Sequence, residues 1–373
     1  MGDFGMKSKL KPFDYTLFTT VIILFGIGLL MVLSASSHLG LLSYQNPYHF
    51  FVRQFLFGIV GIGVMLFLSR LDYKIYKRFA KLIFVVAIAL LCLVLIPGVG
   101  SGETRGAKRW IDLGITNFQP SEVAKVAMII FLSASISENQ KKLEKFWTGL
   151  FPYFIVIGLV AGLLYLEPHY SAIGIIGLIS VILLFVGGAK FSHFATIGAI
   201  VVPIGVIGIF ISKYRVDRIV GFLDPWSDIK GTGWQVIQSL YAIGSGGIFG
   251  LGLGQSKQKY SYLPDAHNDF ILAILGEELG LLGMLLVITL FGLLVWRGIV
   301  IAMKAPDLFS GLMAIGITML IALQFLFNLA IVTSWFPVTG MPVPFMSYGG
   351  SSLLIFMACI GILLNISRNV RNE

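Results

Sequence analysis

The sequence predicts an all-α, polytopic membrane protein, and three observations support this prediction. Hydrophobic residues make up 57% of the 373 residues, the mean hydropathy is +0.90, and charged residues account for only 12%. A soluble core could not hide this much apolar surface. The apolar runs are long and uninterrupted, as spanning helices of about 20 residues require, whereas a β-barrel would show short alternating segments.

Apolar windows predict about ten membrane-spanning helices. The first follows Lys7, Lys9 and Lys11 and has no small-residue cleavage site, so it is predicted to be an uncleaved span and not a signal peptide. A single transmembrane domain over residues 1–373 is expected. The predicted spans cover residues 13–36, 51–69, 79–97, 119–137, 148–166, 169–187, 194–212, 269–296, 309–335 and 348–366.

Positive charge is concentrated on one side of the predicted bundle. Of the 27 Lys and Arg residues, 16 fall near the termini or in the short connections that share their side. An even number of spans places both termini together, and the positive-inside rule makes this side cytoplasmic. The net charge of +9 is therefore attributed to orientation, and no nucleic-acid partner is expected. Cys92 and Cys359 lie inside apolar runs and are predicted to be small apolar residues without a redox role.

One connection is unusually long. Residues 213–268, between the predicted seventh and eighth spans, form a large extracytoplasmic loop in this topology. A loop of this length has a function or is disordered, and its aromatic and apolar content argues against disorder. We expect a folded, partly re-entrant cap. Its glycine-rich part, GSGGIFGLGLGQS, matches no phosphate-binding pattern and is expected to supply tight backbone turns.

Four carboxylates lie at the start of the eighth predicted span, in SYLPDAHNDFILAILGEELG. If this helix starts at Asp269, small and acidic residues form one stripe along it, at positions 269, 273, 276, 277 and 280. Because an ionised carboxylate is costly in lipid, the stripe is expected to face the bundle interior. Asp269 is the candidate catalytic residue, while Glu277 and Glu278 are expected to hold the helix in place. The alternative for Asp269 is a charge that only favours a helix N-terminus.

A second charged pair lies in the fourth predicted span. The stretch FQPSEVAK places Glu122 and Lys125 three residues apart on one helix face, so the two are expected to pair. The pair either neutralises itself at the membrane edge or presents a lysine to an anionic ligand from inside the bundle. Both residues are candidates for substrate binding.

Several cations on the predicted outer face run against the positive-inside bias. A diphosphate head group would account for them through charge-assisted hydrogen bonds, and plain solvation is the alternative. The candidate substrate-binding residues among them are Arg105, Arg109, Arg218 and Lys259.

The chain is also broken before the last span, in GMPVPFMSYGGSS. A break lined by Ser347 and Ser351 could frame a cavity beside the acidic stripe, so both serines are predicted to bind substrate. The five histidines include no i, i+4 pair, so no zinc site is predicted. Glu167 and His169 are expected to form a polar turn whose groups are satisfied by hydrogen bonds, with a proton relay as the alternative.

Together these segments resemble the SEDS (shape, elongation, division and sporulation) family of bacterial cell-wall proteins. The resemblance covers nearly the whole chain in the expected order. The first span and the stretch GLGQSKQKYSYLPDAHNDF are more similar to the FtsW/SpoVE division and sporulation branch than to the RodA elongation branch. The resemblance rests on FDYTLFTTVIILFGIGLLMVLSASS, RGAKRWIDLGITNFQPSEVAK, FLDPWSDIKGTGWQVIQSLYAIGSGGIFGLGLGQSKQKYSYLPDAHNDFILAILGEELG and TGMPVPFMSYGGSSLL.

The resemblance implies ten transmembrane helices and a glycosyltransferase that polymerises lipid II, a disaccharide pentapeptide on undecaprenyl diphosphate. It also implies a class B penicillin-binding protein as transpeptidase partner. The family's essential aspartate lies in LPxAHxDF and corresponds to Asp269, with His267 in the same pattern as a candidate substrate-binding residue. The family's QPSExxK motif corresponds to Glu122 and Lys125. Many members have Gln-Pro-Asp-Leu-Gly where this chain has Glu167 to Ser171, so no role for an aspartate carries over to that site.

The expected reaction is one inverting displacement, since an α-linked donor becomes a β-1,4-linked polymer. Asp269 is expected to take the acceptor proton, while Lys125, Arg218 and Lys259 stabilise the leaving diphosphate. Mg²⁺ or another divalent cation is a candidate cofactor, and no organic cofactor is expected. A lipid II flippase and a non-catalytic scaffold for the transpeptidase are the alternatives. The expected location is the bacterial cytoplasmic membrane, at the division septum or the sporulation membrane, with other division or sporulation proteins nearby.

Overall fold

The structure is a computed structural model that describes residues 12–101, 109–112, 114, 117–195, 198–199, 213–229, 231, 233–260 and 262–370. Helices dominate it, which confirms the all-α prediction. The helices α1 to α11 cover Tyr15–Tyr44, His49–Leu68, Lys74–Leu95, Pro120–Asn139, Phe151–Leu166, Tyr170–Val186, Lys213–Leu223, Trp234–Gly246, Ile271–Met303, Leu308–Val332 and Gly350–Arg368.

A small antiparallel sheet lies between α3 and α4 and was not predicted. Its strands, in the order β1-β2-β3, are Gly100–Ser101, Trp110–Asp112 and Asn117–Phe118. Strands of two or three residues leave no alternating pattern in a sequence, which explains why they escaped prediction.

Eight helices in the described ranges are long and apolar enough to span a membrane: α1 to α5 and α9 to α11. Helix α6 is apolar but has 17 residues. The chain is therefore a multi-pass membrane protein. The predicted span 194–212 falls almost entirely outside the described residues, so the total of ten helices stays a prediction.

The sequence predicted that the first span ends at residue 36, eight residues before helix α1 ends at Tyr44. Helix α1 has 30 residues, starts after the N-cap Asp14 and stops at Gln45, which has a left-handed backbone with φ 53°. At 1.5 Å per residue it is about 45 Å long, more than the hydrocarbon thickness of about 30 Å. Loss of hydrophobicity near residue 36 therefore does not end this helix, because helix ends depend on capping.

The bundle has a central group of helices and a peripheral group. Within the most apolar window of each helix, 72% of residues are buried in α4 and α11, against 22% in α2 and α3. Helix α11 packs on α2, and α4 packs on α3, α6 and α10. Large apolar side chains on α2, α3 and α9 are exposed, as lipid-facing surfaces require.

One end of the bundle, here called the opposite end because it lies away from Asp269, joins four helices through polar side chains. The Asp14 carboxylate before α1 accepts a hydrogen bond of 2.8 Å from Nε of Arg297 in α9, and its backbone N–H donates to Ser367 in α11. The side chain of Asn365 accepts a hydrogen bond of 3.0 Å from the backbone N–H of Tyr73, beside α3. The two termini of the described chain therefore lie at the same end of the bundle.

Helix α9 is broken at Gly280, whose φ of 65° is not helical. The sequence predicted one continuous stripe through this position. Helix geometry would pair the N–H groups of Leu281 and Leu282 with carbonyls four residues earlier. These N–H groups bond instead to the carbonyls of Gly247, at 2.9 Å, and Ile248, at 3.2 Å.

The carbonyls freed by the break are bonded by the same glycine-rich segment. The N–H groups of Leu251 and Gly252 donate to the carbonyls of Glu277 and Glu278, each at 3.0 Å. A Cβ atom added at Gly250 would lie 2.2 Å from the Glu278 carbonyl oxygen, so only glycine permits this approach. Four backbone groups that would be unpaired at a helix break are thus satisfied, as membrane-depth backbone requires.

The long segment before α9 is folded where the structure describes it. It contains α7, a short 3₁₀ turn at Pro225–Asp228 and α8, and α8 packs against α9. This agrees with the expectation of a folded cap. Its side of the membrane stays a prediction.

Candidate active site

Asp269 lies in the turn just before α9. Its backbone N–H donates to the carbonyl of Asp265 at 3.1 Å, and α9 begins at Ile271, two residues later than predicted. The Asp269 side chain is half-buried, whereas the residues from Phe270 to Glu278 are all buried. The carboxylate thus stands at the exposed end of a short half-helix that is otherwise enclosed by protein.

Two amides on α10 fix this turn to the broken segment before α11. The Asn328 side chain donates from Nδ2 to the carbonyl of Asp269, at 2.7 Å, and to the carbonyl of Met341, at 2.6 Å. The Gln324 side chain donates from Nε2 to the carbonyl of Pro342 at 3.1 Å. The segment 340–342 is therefore held beside Asp269 by hydrogen bonds to its main chain.

Gly340, in that segment, lies close to the Asp269 carboxylate. Its φ is +70°, and a Cβ atom added there would lie 3.3 Å from Oδ2 of Asp269. A side chain at this position would therefore be both strained in its backbone and crowded against the candidate catalytic oxygen.

The predicted serine and histidine residues also border this turn. Ser347 donates from Oγ to the carbonyl of Asn268 and accepts a hydrogen bond of 2.8 Å from the N–H of Val343. The N–H of Tyr348 donates to the carbonyl of His267 at 3.0 Å. Burial lowers the pKa of His267, with the charge of Asp265 acting in the opposite direction, so the imidazole is neutral near pH 7.

Side chains near the starts of α2 and α11 also bond to main-chain groups around this site. The Gln54 side chain in α2 donates to the carbonyl of Ser347 at 3.0 Å and accepts from the N–H of Gly349 at 3.2 Å. The Ser351 hydroxyl donates to the carbonyl of Asn117 in β3, at 3.2 Å. The structure therefore places both predicted serines at the Asp269 end, where each bonds to main chain.

Glu122 and Lys125 form the predicted pair inside the bundle. The Lys125 ammonium lies 2.8 Å from Oε1 of Glu122 and 2.8 Å from Oε1 of Gln324. Both charged side chains are almost fully buried. Because Gln324 also bonds to Pro342, the pair is linked to the segment that contacts Asp269.

A small cavity connects this pair to the turn between α5 and α6. Its volume is about 20 Å³, enough for about one water molecule. The residues that line it include Glu122, Lys125, His169 and Gly340. Oε2 of Glu122 and Nδ1 of His169 are buried without a hydrogen-bond partner among the described residues.

Arg109 holds the turn between α5 and α6. Its Nε donates to the carbonyl of Glu167 at 3.2 Å, and its guanidinium also donates to the carbonyl of Pro168. Burial raises the pKa of Glu167 to about 8, although the charge of Arg109 opposes the shift. Burial and the charges of Arg109 and Lys125 lower the pKa of His169 to about 3. The turn is present and both side chains are neutral near pH 7. The expectation that its polar groups are satisfied is wrong for the described residues, because both carboxyl oxygens of Glu167 and Nδ1 of His169 are buried without a hydrogen-bond partner among them.

Lys259 belongs to a second polar cluster, at the far end of the half-helix. Its ammonium donates to Oγ of Ser34 at 3.1 Å, to the carbonyl of Gly254 at 2.6 Å and to Oε1 of Glu278 at 3.2 Å. These three acceptors match the three N–H donors of a lysine. Contact between Lys259 and a diphosphate, as predicted from the sequence, would require these bonds to break.

Glu277 lies in the same cluster and binds the loop before Asp269. Its carboxylate accepts hydrogen bonds from the Ser256 hydroxyl and from the N–H of Lys257, the latter at 2.9 Å. Glu277 and Glu278 are 1% and 0% exposed. Both carboxylates therefore bond to the loop at residues 256–259, and the role expected of them, holding the helix in place, stays a prediction.

Two predicted residues cannot be placed at the site. Arg105 lies outside the described residues, and Arg218 lies in α7 with its side chain outside the described part. Three residues that the sequence analysis did not single out belong to the site: Gln54, Gln324 and Asn328. A buried amide in an apolar helix is the signal that could have indicated them, since polar groups at membrane depth are costly without partners.

Comparison with known proteins identifies the fold and the relatives. The model of the "Cell cycle protein" family, which covers FtsW, RodA and SpoVE, matches residues 15–372. Stage V sporulation protein E of Bacillus subtilis (strain 168) is 42% identical over 367 residues, 98% of this chain and 100% of that protein. The probable peptidoglycan glycosyltransferase FtsW of Trichlorobacter lovleyi is 42% identical over 363 residues, 97% of this chain and 95% of that protein.

Solved structures show the same architecture. A chain from a peptidoglycan synthase complex, solved to explain the coordination of polymerization and crosslinking, superposes with a TM-score of 0.79 at 27% identity, over 95% of this chain and 98% of that chain. The rod shape determining protein RodA of Thermus thermophilus superposes with a TM-score of 0.70 at 25% identity, over 97% and 98%. With one family model spanning nearly every residue, and SpoVE and FtsW relatives at 42% identity, this chain belongs to the FtsW/RodA/SpoVE family, as its motifs predicted.

Proposed function

We propose that this chain is a peptidoglycan glycosyltransferase that polymerises lipid II into β-1,4-linked glycan strands. The observation that carries the proposal is the placement of Asp269, a half-buried carboxylate held at its backbone by Asn328, with the side-chain-free Gly340 against its Oδ2 atom. The relatives support the reaction, since the FtsW protein is named a probable peptidoglycan glycosyltransferase and the structural neighbour comes from a peptidoglycan synthase complex.

Each extension step forms one bond and breaks one. The acceptor 4-hydroxyl oxygen bonds to the anomeric carbon of the donor, and the bond from that carbon to the diphosphate oxygen breaks, with its electron pair leaving on the diphosphate. The hydroxyl proton passes to a carboxylate oxygen of Asp269, which serves as general base because proton loss and bond formation are concerted. Attack from the face opposite the diphosphate inverts α to β. A diphosphate leaves without protonation, so no second carboxylic acid is needed.

Cations near the leaving group would stabilise its developing charge. Arg105, Arg109, Arg218 and Lys125 are proposed for this role. In the described conformation Lys125 lies beside a cavity of about 20 Å³, which is far too small for a diphosphate. Direct contact with Lys125 would therefore require the walls of this cavity to move apart.

His267, Ser347 and Ser351 are proposed to bind the sugars. Their support is their position around the Asp269 turn, where Tyr348 and Gln54 hold the same main chain. Glu122 would set the position of Lys125 through their 2.8 Å ion pair.

A divalent cation is also proposed as a cofactor. The described residues include no group of three or more His, Cys, Asp or Glu side chains that could hold a metal ion. Mg²⁺ often binds through substrate phosphates, so a divalent cation would be held here mainly by the diphosphate of the donor. No step of the proposed mechanism depends on a metal.

The proposed setting follows from the charges and the relatives. The enzyme would lie in the bacterial cytoplasmic membrane with both termini in the cytoplasm and Asp269 near the outer surface. It would act at the division septum or the sporulation membrane, with a class B penicillin-binding protein as transpeptidase. The SpoVE and FtsW relatives, each 42% identical, support both of these settings equally.

The test compares Asp269→Asn with a matched neutralisation four residues earlier. Asp265 is exposed, and its contribution to the turn is its main-chain carbonyl, which accepts from the N–H of Asp269. Asparagine tolerates the Asp265 φ of 54°. The full chain is purified with a transpeptidase partner and given fluorescent lipid II, and polymer is resolved by gel electrophoresis. Wild type and Asp265→Asn should make polymer, and Asp269→Asn should make none.

The alternatives give different results. A scaffold would leave polymer synthesis unchanged in Asp269→Asn, because the polymer would come from another enzyme in the preparation. A flippase would move fluorescent lipid II across a vesicle membrane without making polymer. Either result would remove the support for Asp269 as the general base.

A further inference from the structure

An open cleft of about 450 Å³ lies at the opposite end of the bundle. It is formed where α3 and α10 begin, and its lining includes Lys74, Lys77, Ser137, Asp307 and Phe309. Its volume falls within the range of about 300–1,000 Å³ that is typical of small-molecule sites. The cleft shares no residue with the cavity beside Lys125. It is a separate site that the glycosyltransferase chemistry does not use.

Two ammonium groups in the cleft are available to an anion. Lys74 and Lys77 are both exposed, and no carboxylate of the described residues lies within 4.0 Å of either nitrogen. Nζ of Lys77 lies 6.0 Å from the centre of the Phe309 ring, which also lines the cleft. The lining therefore offers cations that the protein itself does not neutralise by contact.

The one carboxylate in the cleft is already engaged. Asp307 accepts a hydrogen bond of 2.6 Å from the Tyr73 hydroxyl and one of 2.9 Å from the N–H of Ser310, where it caps α10. Burial would raise the pKa of Asp307, but the hydrogen bonds from Tyr73 and Ser310 and the charge of Lys77 lower it overall. An ionised Asp307 leaves a net charge of +1 from the two lysines and this carboxylate.

The position of the lysines on their helix also favours an anion. The first turn of α3 contains no acidic residue and its N-cap residue Tyr73 makes no side-chain capping bond, while the Asp72 carboxylate, just before the helix, accepts a hydrogen bond of 3.0 Å from the backbone N–H of Lys74. Cations at a helix N-terminus oppose the helix dipole, and an anion bound between them would add to the favourable interaction that Asp72 already supplies. The positive-inside rule explains lysines at a membrane edge, but it does not require a cleft between them.

The cleft adjoins a lipid-facing surface. On α3, residues at steps of four and three from Ile75 form a stripe about 100° around the helix from Lys74. The stripe consists of Ile75, Phe79 and Leu82, which are 39%, 44% and 57% exposed. An amphiphile could therefore lie with its acyl chains on this stripe and its head group in the cleft. A soluble anion would gain nothing from the stripe.

We propose that this cleft binds the phosphate group of an anionic phospholipid from the leaflet at this end of the bundle, through Lys74 and Lys77. The acyl chains lie along the exposed stripe of α3. The bound lipid bridges the starts of α3 and α10.

The test uses the full chain in an uncharged detergent. Native mass spectrometry counts retained lipid, and the unfolding midpoint is measured with phosphatidylglycerol, with phosphatidylcholine of the same acyl chains, and with inorganic phosphate. Phosphatidylglycerol should be retained and should raise the midpoint, and the other two should not. Lys74→Gln/Lys77→Gln should weaken phosphatidylglycerol binding about tenfold or more.

The matched control is Lys145→Gln/Lys190→Gln. Both control lysines are exposed, neither lines the cleft, and the change in net charge is the same. The control should bind phosphatidylglycerol as wild type does, and both double variants should keep the wild-type midpoint without lipid. Equal losses in the two variants would mean general attraction to a basic surface and would overturn the proposal. An equal effect of inorganic phosphate would overturn the assignment to a lipid.

Discussion

Nδ2 of Asn328 donates a hydrogen bond of 2.7 Å to the carbonyl oxygen of Asp269, and the same nitrogen donates at 2.6 Å to Met341. Asn328 is fully buried in α10. One amide therefore holds the turn that carries the candidate catalytic carboxylate against the broken segment before α11. The geometry of the site depends on a residue that has no direct part in the proposed chemistry.

Asn328→Ala should lower both stability and catalysis. Two main-chain carbonyls lose a donor, which should cost about 1–3 kcal/mol of unfolding free energy. The displaced Asp269 should lower polymerisation per folded molecule by about 10- to 100-fold. Asn365→Ala is the control, because the Asn365 amide also bonds to two main-chain groups, donating to the carbonyl of Ser69 and accepting from the N–H of Tyr73 at the opposite end. It should lose similar stability and keep its rate. Equal losses of rate in both variants would argue against a positioning role.

Gly340→Ala should disturb the carboxylate directly. At a φ of +70° the new side chain strains the backbone by about 1–2 kcal/mol, and its Cβ would lie 3.3 Å from Oδ2 of Asp269. Gly98→Ala is the control, since Gly98 has a φ of +90° and open space around its Cβ position. Both variants should lose similar thermal stability, and only Gly340→Ala should lose polymerisation rate, by several-fold. A wild-type rate in Gly340→Ala would show that the carboxylate tolerates the added carbon.

The parts of this fold that the sequence predicted well depend on local patterns. Apolar windows located each span that the structure describes, because a membrane demands about 20 apolar residues in a row. The pairing of Glu122 with Lys125 followed from helical spacing alone, and the structure joins them at 2.8 Å. The sequence also predicted that Asp269 lies at a helix start, although the helix begins at Ile271, two residues after Asp269.

The parts that were missed depend on contacts between distant segments. A glycine inside an apolar run is usually tolerated in a helix, so the break at Gly280 is predictable only with its partners in residues 247–252. The pairing of Lys259 with Glu278 likewise joins a loop to a helix across the same break. The amides Gln324 and Asn328 were missed because they bond to main-chain carbonyls that are distant in the sequence. Gln324 bonds to Pro342, 18 residues away, and Asn328 bonds to Asp269, 59 residues away.

Lys259 and Glu278 should behave as a coupled pair. Lys259→Met leaves the fully buried Glu278 without its cation, which should cost about 3–5 kcal/mol. Lys259→Met/Glu278→Gln should cost less than the sum of the two single variants, as measured by unfolding in detergent. If the pair only holds the loop, the double variant should regain polymerisation together with stability. A direct role of Lys259 on the diphosphate would instead give a double variant that is folded and inactive.

Glu167→Gln should remove a pH dependence of stability. Burial raises the pKa of Glu167 from its usual 4.5 to about 8, so the folded state holds a proton that the unfolded chain has released. Between these values the unfolded state binds fewer protons, and stability falls as pH rises. His169, with its pKa lowered to about 3, stays neutral across this window. The unfolding midpoint of Glu167→Gln should therefore increase relative to wild type from pH 5 to pH 8 and then level off.

Glu144→Gln, at an exposed surface site, controls for the loss of one negative charge. A constant difference between Glu167→Gln and wild type over this range would mean that Glu167 is already ionised in the folded protein, held by Arg109.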